Sequence, residues 1–170
     1  MNKAVFLDRD GVINHDPGDY TYHVSEFKLN DGVLENLKTL YDNGYLLILI
    51  TNQGGISKNL YTHNDVKEIH NYFTDELKKV GIELTEIYYC PHHSNNENCL
   101  CRKPNSLMIE KALARFDIDP SKSFMIGDKM RDVECAEKAG VQGIKVGLNE
   151  NIKSYVDLIL NNKDQRPKTK

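Results

Sequence analysis

The sequence predicts an α/β fold, a Rossmann-like three-layer α/β/α sandwich built around a mainly parallel sheet. Short apolar segments of strand length alternate with amphipathic helical segments along the chain, as in parallel sheets that are covered by helices. Residues 46–50 are apolar at every position, which is typical of a strand buried on both faces. No internal repeat or linker divides the 170 residues, so we expect one domain over residues 1–162.

The predicted elements follow one another in regular order. The apolar run 4–7 predicts the first strand, and apolar residues at helical spacing over 33–41, before Gly44, predict the first helix. The buried strand described above comes next. Thr62 is a favourable N-cap residue for a second helix, whose apolar stripe spans 66–77. The later predicted elements are strands at 84–89, 123–126 and 143–146 and helices at 106–116, 130–139 and 152–160.

Composition and charge limit the classes of partner. The formal net charge is −3 and the pI is near 6.1, which gives no electrostatic reason to expect binding to nucleic acid or to a membrane. Residues 1–3 run directly into the first strand, which leaves no room for a signal peptide, and no apolar run reaches membrane-spanning length. We therefore expect a soluble, cytoplasmic monomer. The polar, basic segment 163–170 is predicted to be a flexible tail.

Two carboxylates one residue apart follow the first predicted strand. Asp8 and Asp10 occupy positions i and i+2 of an extended segment, so their side chains are expected on the same side, where they can converge on one point. Two anions held that close repel each other unless a cation or a shared proton lies between them. For this pair alone, a charged turn would be the simpler interpretation.

The ends of three other strands add polar groups to the same predicted edge. These groups are Thr51, Asn52, Gln53 and Gly54 after the second strand, Arg102 and Lys103 at the end of a loop after the third, and Asp128 and Asp132 after the fourth. Because the carboxyl ends of parallel strands meet at one edge of a sheet, we expect these groups to surround a ligand site there.

This set of residue types suits phosphoryl transfer through a covalent aspartyl-phosphate. A carboxylate is a usable nucleophile toward phosphorus. Mg²⁺ bound by carboxylates would reduce the repulsion between that nucleophile and a phosphate dianion, while Lys and Arg side chains would neutralise the remaining oxygens. The second carboxylate, two residues along, is placed to protonate the leaving alkoxide and then to deprotonate the attacking water.

The chain contains, in this order, the segments DRDGVIN, TNQGG, Lys103 and GDKMRD. These are the characteristic segments of the haloacid dehalogenase (HAD) superfamily of phosphohydrolases in the same order, and from Asp8 to Asp132 the chain resembles that superfamily. The resemblance implies a HAD-like fold, with Asp8 as the nucleophile and Asp10 as the general acid and base. It also implies that Thr51 and Lys103 hold the transferred phosphoryl group.

The same resemblance implies a catalytic Mg²⁺ ion. Its ligands would be Asp8, the backbone carbonyl of Asp10, and Asp128, in keeping with the preference of Mg²⁺ for oxygen ligands. Asp132 would orient the site without contacting the metal.

A cluster of cysteine and histidine residues lies in the predicted loop after the third strand. Cys90, Cys99 and Cys101, with either His92 or His93, give the CxH…CxC pattern of a closed tetrahedral zinc site, which is structural rather than catalytic. Three free thiols beside a surface histidine are the simpler alternative. Zinc would fasten a loop that has no apolar content over 94–98, and would position the two cations that end it. We therefore predict a structural Zn²⁺ ion here.

The pattern CPHH…CxCRKP, together with DRDGVIN and TNQ, resembles a narrower group. That group holds the D-glycero-D-manno-heptose 1,7-bisphosphate 7-phosphatases and the related histidinol-phosphate phosphatases, which lack a large cap domain. The resemblance selects His92 as the imidazole ligand of zinc and assigns Arg102, Lys103 and residues 51–54 to substrate binding. Gly54 departs from the serine that is usual in TNQSG. We favour the heptose bisphosphate, a precursor of lipopolysaccharide or surface polysaccharide, with histidinol phosphate as the alternative.

Two functions from other classes have less support. A binding module that has lost catalysis would not need the complete set of charged residues of the HAD pattern. A phosphatase acting on nucleic-acid ends would need a basic groove with aromatic stacking partners, and an acidic chain without Trp offers little support for one. The expected partner is therefore a small phosphorylated sugar or a related phosphate ester.

Overall fold

A five-stranded parallel sheet lies at the centre of the protein. The structure, a computed structural model, describes residues 1–161. The strands are β1 (Lys3–Leu7), β2 (Tyr45–Asn52), β3 (Glu86–Cys90), β4 (Phe124–Gly127) and β5 (Gln142–Lys145). The helices are α1 (Val33–Asp42), α2 (His63–Lys79), α3 (Leu107–Arg115), α4 (Met130–Lys138) and α5 (Lys153–Asn161). The strand order is β3-β2-β1-β4-β5 and each neighbouring pair is parallel, which confirms the predicted α/β fold.

Helices cover both faces of the sheet, because successive strand residues point to opposite sides. Val5 and Leu7 of β1 belong to one buried cluster, together with residues of α1, α2 and α5. Ala4 and Phe6 belong to a second cluster, together with residues of α3 and α4. These two clusters join the sheet to its two helical layers and so form the predicted three-layer sandwich.

The strand β2 is longer than its apolar run. It extends to Asn52, because it pairs with β3 as far as the Asn52–Cys90 position, so the polar Thr51 and Asn52 belong to the strand itself. β3 begins at Glu86 rather than at residue 84. Hydrogen bonding to the neighbouring strand, which hydropathy does not report, sets both of these ends.

The N-terminus of α2 has the predicted cap. Thr62 Oγ1 accepts a hydrogen bond from Asp65 N at 3.3 Å, and Asp65 Oδ2 accepts one from Thr62 N at 2.7 Å. This capping box satisfies backbone N–H groups that a helix start otherwise leaves unpaired.

The sheet order brings the carboxyl ends of β1, β2 and β4 together. The central strand β1 pairs with β2 on one side and with β4 on the other, so the segments that follow these three strands are neighbours. Asp8 follows β1 and Asp128 follows β4. The predicted ligand crevice therefore lies at this edge.

Three further sequence predictions concern membrane spans, the tail and the domain bounds. Within residues 1–161, no helix is both long enough and apolar enough to cross a membrane. The tail predicted at 163–170 lies outside the described residues. The single domain over residues 1–162 stays a prediction.

Candidate active site

A buried lysine joins three segments at the carboxyl edge of the sheet. Lys103 is 1% exposed. Its Nζ lies 2.8 Å from Asp8 Oδ1 and 2.7 Å from Asp132 Oδ1, and it donates to the backbone oxygen of Ile50 at 2.8 Å. The three donors of the ammonium group thus have three protein acceptors. The structure brings together the predicted nucleophile, the predicted phosphoryl-binding lysine and Asp132.

Burial and pairing set the charges of this group. Burial raises the pKa of Asp8 to about 6, against the lowering effect of the Lys103 ammonium. Burial would lower the pKa of Lys103, but the charges of Asp8 and Asp132 outweigh it and raise that pKa. Lys103 is therefore held as a cation in a place where it can attract the charge of a phosphate group.

The Asp10 carboxylate has its own set of donors. Arg9 Nη2 lies 2.9 Å and 3.0 Å from the two Asp10 oxygens, and Asn14 Nδ2 and Gln53 Nε2 each donate at 3.0 Å. Burial raises the pKa of Asp10, but the charge of Arg9 and these hydrogen bonds outweigh it, so the pKa is lowered. The surroundings of Asp10 therefore favour its ionised form.

The spacing of Asp8 and Asp10 predicted that their side chains converge on one point. In the structure the two carboxylates have different partners instead. β1 ends at Leu7, and the backbone turns immediately afterwards, so that Asp10 forms an isolated bridge with Asn14. The alternation rule for side chains applies only to extended backbone. As a result, Asp8 pairs with a lysine and Asp10 pairs with an arginine.

A cluster of three carboxylates includes Asp8 but not the Asp10 side chain. Oxygen atoms of Asp8, Asp128 and Asp132 lie within 4.8 Å of one another, and all three residues are buried. Asp128 Oδ1 has no hydrogen-bond partner among the described residues. Gly11, with a φ of +88°, lets Asp128 lie close to the turn after β1, since a Cβ at Gly11 would lie 2.9 Å from Asp128 Oδ2. Crowded carboxylate oxygens, one of them unpartnered, fit a hard divalent cation such as Mg²⁺.

Asn52 holds the backbone of Lys103 from the end of β2. Its Oδ1 accepts from Lys103 N at 3.0 Å, and its Nδ2 donates to Lys103 O at 3.1 Å. This two-way contact fixes the lysine that follows the cysteine–histidine loop. Asn52, which was predicted to bind substrate, also lines the cavity described below.

Gln53 connects two of the predicted catalytic residues. Its Nε2 donates to Thr51 Oγ1 at 2.9 Å as well as to Asp10 Oδ2. Its Oε1 accepts from the hydroxyl of Tyr61 at 2.9 Å. Gln53 was predicted to bind substrate, and the structure engages its polar atoms with protein groups. It therefore positions Asp10 and Thr51.

The four predicted zinc ligands lie together. Ligand atoms of Cys90, His92, Cys99 and Cys101 are within 4.8 Å of one another. Cys101 Sγ lies 3.1 Å from Cys90 Sγ and 3.7 Å from Cys99 Sγ. His92 Nδ1 lies 3.3 Å from Cys101 Sγ. Thiolates on one tetrahedral zinc, each at about 2.3 Å from it, would be roughly 3.7 Å apart, so this set fits a closed site. His93 is not part of the cluster.

The cysteine–histidine loop borders the predicted catalytic residues. Arg102 Nη1 donates to His92 O at 2.8 Å, and Gln53 N donates to Cys90 O at 2.7 Å. A Cβ at Gly54 would lie 3.0 Å from both Arg102 Nη1 and His92 O. Glycine at this position thus fits a close approach between the loop and the segment after β2.

An open cavity of about 660 Å³ lies beside these groups. The predicted site residues that line it are Asp10, Asn52, Gln53, Gly54, Arg102 and Asp128. Asp8, Thr51 and Lys103 are almost wholly buried. Lys129, which the sequence analysis did not single out, also lines the cavity, and its Nζ lies 3.3 Å from Asp128 Oδ2 and 3.5 Å from Asp16 Oδ2.

Two further candidates, Arg9 and Tyr61, were missed in the sequence. Arg9 is 1% exposed and binds the carboxylate of Asp10. Its place between two carboxylates at a strand end was a usable signal, because a buried arginine there needs an anion. Tyr61 gives no such signal. Its hydroxyl reaches Gln53 only through the fold of the loop between β2 and α2.

Comparisons relate the chain to known proteins. A family model for HAD-hydrolase-like proteins matches residues 100–154. The D-glycero-β-D-manno-heptose-1,7-bisphosphate 7-phosphatase of Haemophilus influenzae is 42% identical over 154 residues, which cover 88% of this chain and 80% of that protein. The protein of the same name from Helicobacter pylori is 41% identical over 161 residues, with coverage of 94% and 86%.

A solved structure has the same fold. The crystal structure of D,D-heptose 1,7-bisphosphate phosphatase from B. bronchiseptica matches with a TM-score of 0.83 and 24% identity, over 94% of this chain and 99% of that chain. At this level of identity the match concerns the fold alone.

Proposed function

Because the chain belongs to the D-glycero-D-manno-heptose-1,7-bisphosphate 7-phosphatase family of HAD-like hydrolases, we propose that it hydrolyses the 7-phosphate of D-glycero-D-manno-heptose 1,7-bisphosphate. The observation that carries the proposal is the buried contact of Lys103 with Asp8 and Asp132 next to the cavity. The products are inorganic phosphate and the heptose 1-phosphate. The enzyme is therefore a phosphoric monoester hydrolase.

In the proposed first step, an oxygen of Asp8 attacks the phosphorus of the 7-phosphate, and the bond from phosphorus to the C7 oxygen breaks. The phosphoryl group is then bonded to Asp8. Lys103, which already contacts Asp8, attracts the phosphoryl oxygens. Thr51 Oγ1 accepts from Gln53, which leaves the hydroxyl proton of Thr51 free to donate to the same group.

Asp10 is proposed to move the protons. The leaving C7 alkoxide takes a proton from Asp10, and Asp10 then takes a proton from the water that attacks the aspartyl-phosphate, which releases phosphate and restores Asp8. The lowered pKa of Asp10 favours the base form that the second step needs. A phosphate dianion beside Asp10 is a like charge, so it raises that pKa and favours the acid form that the first step needs.

HAD phosphatases use Mg²⁺, and we propose Asp8, Asp128 and the backbone carbonyl of Asp10 as the protein ligands in this chain. When bound, the ion reduces the repulsion between the nucleophile and the phosphate dianion. The unpartnered oxygen of Asp128 supports its role as a ligand. Asp132 already contacts Lys103, which supports an orienting role for Asp132.

We propose a structural Zn²⁺ ion on the four clustered residues Cys90, His92, Cys99 and Cys101. Four protein ligands leave no open position, so the ion takes no part in the catalytic steps. It holds the loop that ends at Arg102 and Lys103.

The proposed place of action is the cytoplasm, and the proposed active form is a monomer. The cytosol keeps cysteines reduced, which leaves them free to bind zinc as thiolates. The monomer is supported by the site itself, since one chain supplies the nucleophile, the acid and base, and both sets of candidate metal ligands.

Steady-state hydrolysis by the wild-type protein tests the substrate. With Mg²⁺ present, we expect kcat/KM for heptose 1,7-bisphosphate, in its preferred anomer, to exceed that for histidinol phosphate by at least about 100-fold. Phosphorus NMR should show that the C1 phosphate is retained. Equal or faster turnover of histidinol phosphate would contradict the proposed substrate and favour the related enzyme class.

A further inference from the structure

Two arginines line the cavity without a carboxylate partner. Among the arginines of residues 1–161, Arg9 and Arg115 each pair with a carboxylate, whereas Arg102 and Arg131 form no ion pair within that part of the chain. Arg102 donates to a backbone oxygen. The Nε of Arg131 is buried and has no hydrogen-bond partner among the described residues. A half-buried guanidinium with an unused donor is costly unless an anion binds it.

The two arginines belong to a lining that holds three cationic side chains. A Cβ at Gly54 would lie 3.0 Å from Arg102 Nη1 and 3.1 Å from His93 Cδ2, so Arg102 and His93 meet at the same part of the cavity. Lys129, at the N-cap of α4, and Arg131, in its first turn, line the same cavity.

The carboxylates of the cavity lining have other partners. Asp10 is held by Arg9, Asp16 and Asp128 by Lys129, and Asp19 by the backbone N–H of Tyr20. By contrast, the buried Lys103 already contacts two carboxylates. None of these carboxylates pairs with Arg102 or Arg131, so both guanidinium groups are left to bind an anion in the cavity.

We propose that Arg131 is a specificity-determining residue that binds, together with Arg102, the phosphate group of the substrate that is not hydrolysed. This inference rests on the proposed function, because heptose 1,7-bisphosphate carries a second phosphate at C1. A guanidinium presents a planar fork of donors that matches two phosphate oxygens. Arg131 and Arg102 both line the cavity, whose volume is in the range that binds small molecules.

Steady-state kinetics of Arg131→Gln test the proposal. The quantity to measure is the ratio of kcat/KM for heptose 1,7-bisphosphate to kcat/KM for heptose 7-phosphate, which lacks only the second phosphate. We expect this ratio to fall by about tenfold or more, the effect of losing a charge-assisted hydrogen bond. Arg131→Lys keeps the charge but not the fork, so its ratio should lie between those of the wild type and Arg131→Gln.

Arg115→Gln is the matched control, because Arg115 is an exposed arginine that does not line the cavity. Its ratio should equal that of the wild type. An unchanged ratio in Arg131→Gln, or an equal loss on both substrates, would overturn the proposal. Melting temperatures of the variants show whether they are folded.

Failure of the proposed function is distinguishable from failure of the inference on Arg131, because it appears in the wild-type protein, which then does not hydrolyse heptose 1,7-bisphosphate. The role of Arg131 is then judged by calorimetric binding of fructose 1,6-bisphosphate relative to fructose 6-phosphate. Arg131→Gln should reduce this preference about tenfold, and an unchanged preference in that variant would refute the inference.

Discussion

At the scale of single residues, Asp8 combines burial with one close cation. Burial raises its pKa to about 6, and Lys103 Nζ at 2.8 Å opposes that rise. A carboxyl group with this pKa is mostly ionised at pH 7. It therefore has the charge of a nucleophile but little of the water shell that would weaken it.

Asp8→Asn is expected to reduce phosphatase activity by at least about 1,000-fold, because an amide cannot act as the nucleophile that accepts the phosphoryl group. The fold should persist, since Lys103 keeps its contact with Asp132. Phosphate release with Mg²⁺ present measures the activity. Asp75→Asn, at an exposed position of α2, is the matched control and should be as active as the wild type. An active Asp8→Asn protein would refute the covalent mechanism.

At the scale of elements, the cysteine–histidine loop depends on its four clustered side chains. Residues 94–98 between them are exposed, so the loop gains little from apolar burial. Its end is nevertheless tied to the site, since Arg102 binds His92 O and Asn52 binds Lys103. Loosening the loop should therefore disturb Arg102 and Lys103, the cations proposed to bind phosphate.

Removal of zinc tests this dependence. Chelation followed by restoration of Mg²⁺ alone should lower the melting temperature by at least about 5 °C and reduce activity, and added Zn²⁺ should restore both. Cys99→Ser should lose the bound metal. The control Cys135→Ser should keep it, because Cys135 is buried outside the cluster and donates to Asn105 O. Unchanged melting after chelation would exclude a structural zinc.

The helix α2 contains a buried titratable residue, His70, which lies outside the proposed catalytic group. It is 7% exposed, and its Nε2 has no hydrogen-bond partner among the described residues. Burial, with a further contribution from Arg9, lowers its pKa from 6.5 to about 3. Between these two pH values the unfolded chain binds a proton that the folded protein does not.

The free energy of unfolding should therefore depend on His70 in acid. The contribution of His70 is complete above about pH 6.5 and falls by about 1.4 kcal/mol per pH unit below it, until about pH 3. His70→Gln should remove this slope, as measured by denaturant unfolding between pH 7 and about pH 4. His15→Gln, at an exposed position, is the control and should keep the slope. The same slope in both variants would contradict the assignment.

At the scale of the whole molecule, Lys103 connects parts of the chain that are far apart in sequence. Its ammonium group contacts Asp8 after β1, Ile50 in β2 and Asp132 in α4. A buried charge needs partners in a place where water cannot reach it. The proposed catalytic arrangement and the packing of the domain therefore depend on the same contacts.

Asp132→Ala should destabilise the protein by about 3 kcal/mol, because it leaves the buried Lys103 charge only partly compensated. Activity should fall as well, since Lys103 would shift. Asp157→Ala removes a carboxylate from an exposed ion pair with Lys153 and should change stability by less than about 1 kcal/mol. Denaturant unfolding measures both. Equal stability of the two variants would contradict a structural role for the buried group.

Much of the fold was readable from local patterns. The apolar run of β2 and the N-cap at Thr62 are both present as predicted. The ends of β2 and β3 were not readable, because partner strands set them. In the site, spacing predicted the grouping of Cys90, Cys99 and Cys101 with one histidine, and the family resemblance selected His92. The contact from Tyr61 to Gln53 had no local signal.

The sequence by itself determined the fold class, the family and the types of chemical group at the sheet edge, because hydrophobic period and motif spacing are local properties of the chain. Only the tertiary structure decided how these groups pair. The turn after β1 sends Asp8 to Lys103 and Asp10 to Arg9, and the packing of α4 against the sheet leaves Arg131 without an ion pair in the cavity wall. Such pairings depend on side-chain direction and on burial, which arise only when distant segments meet.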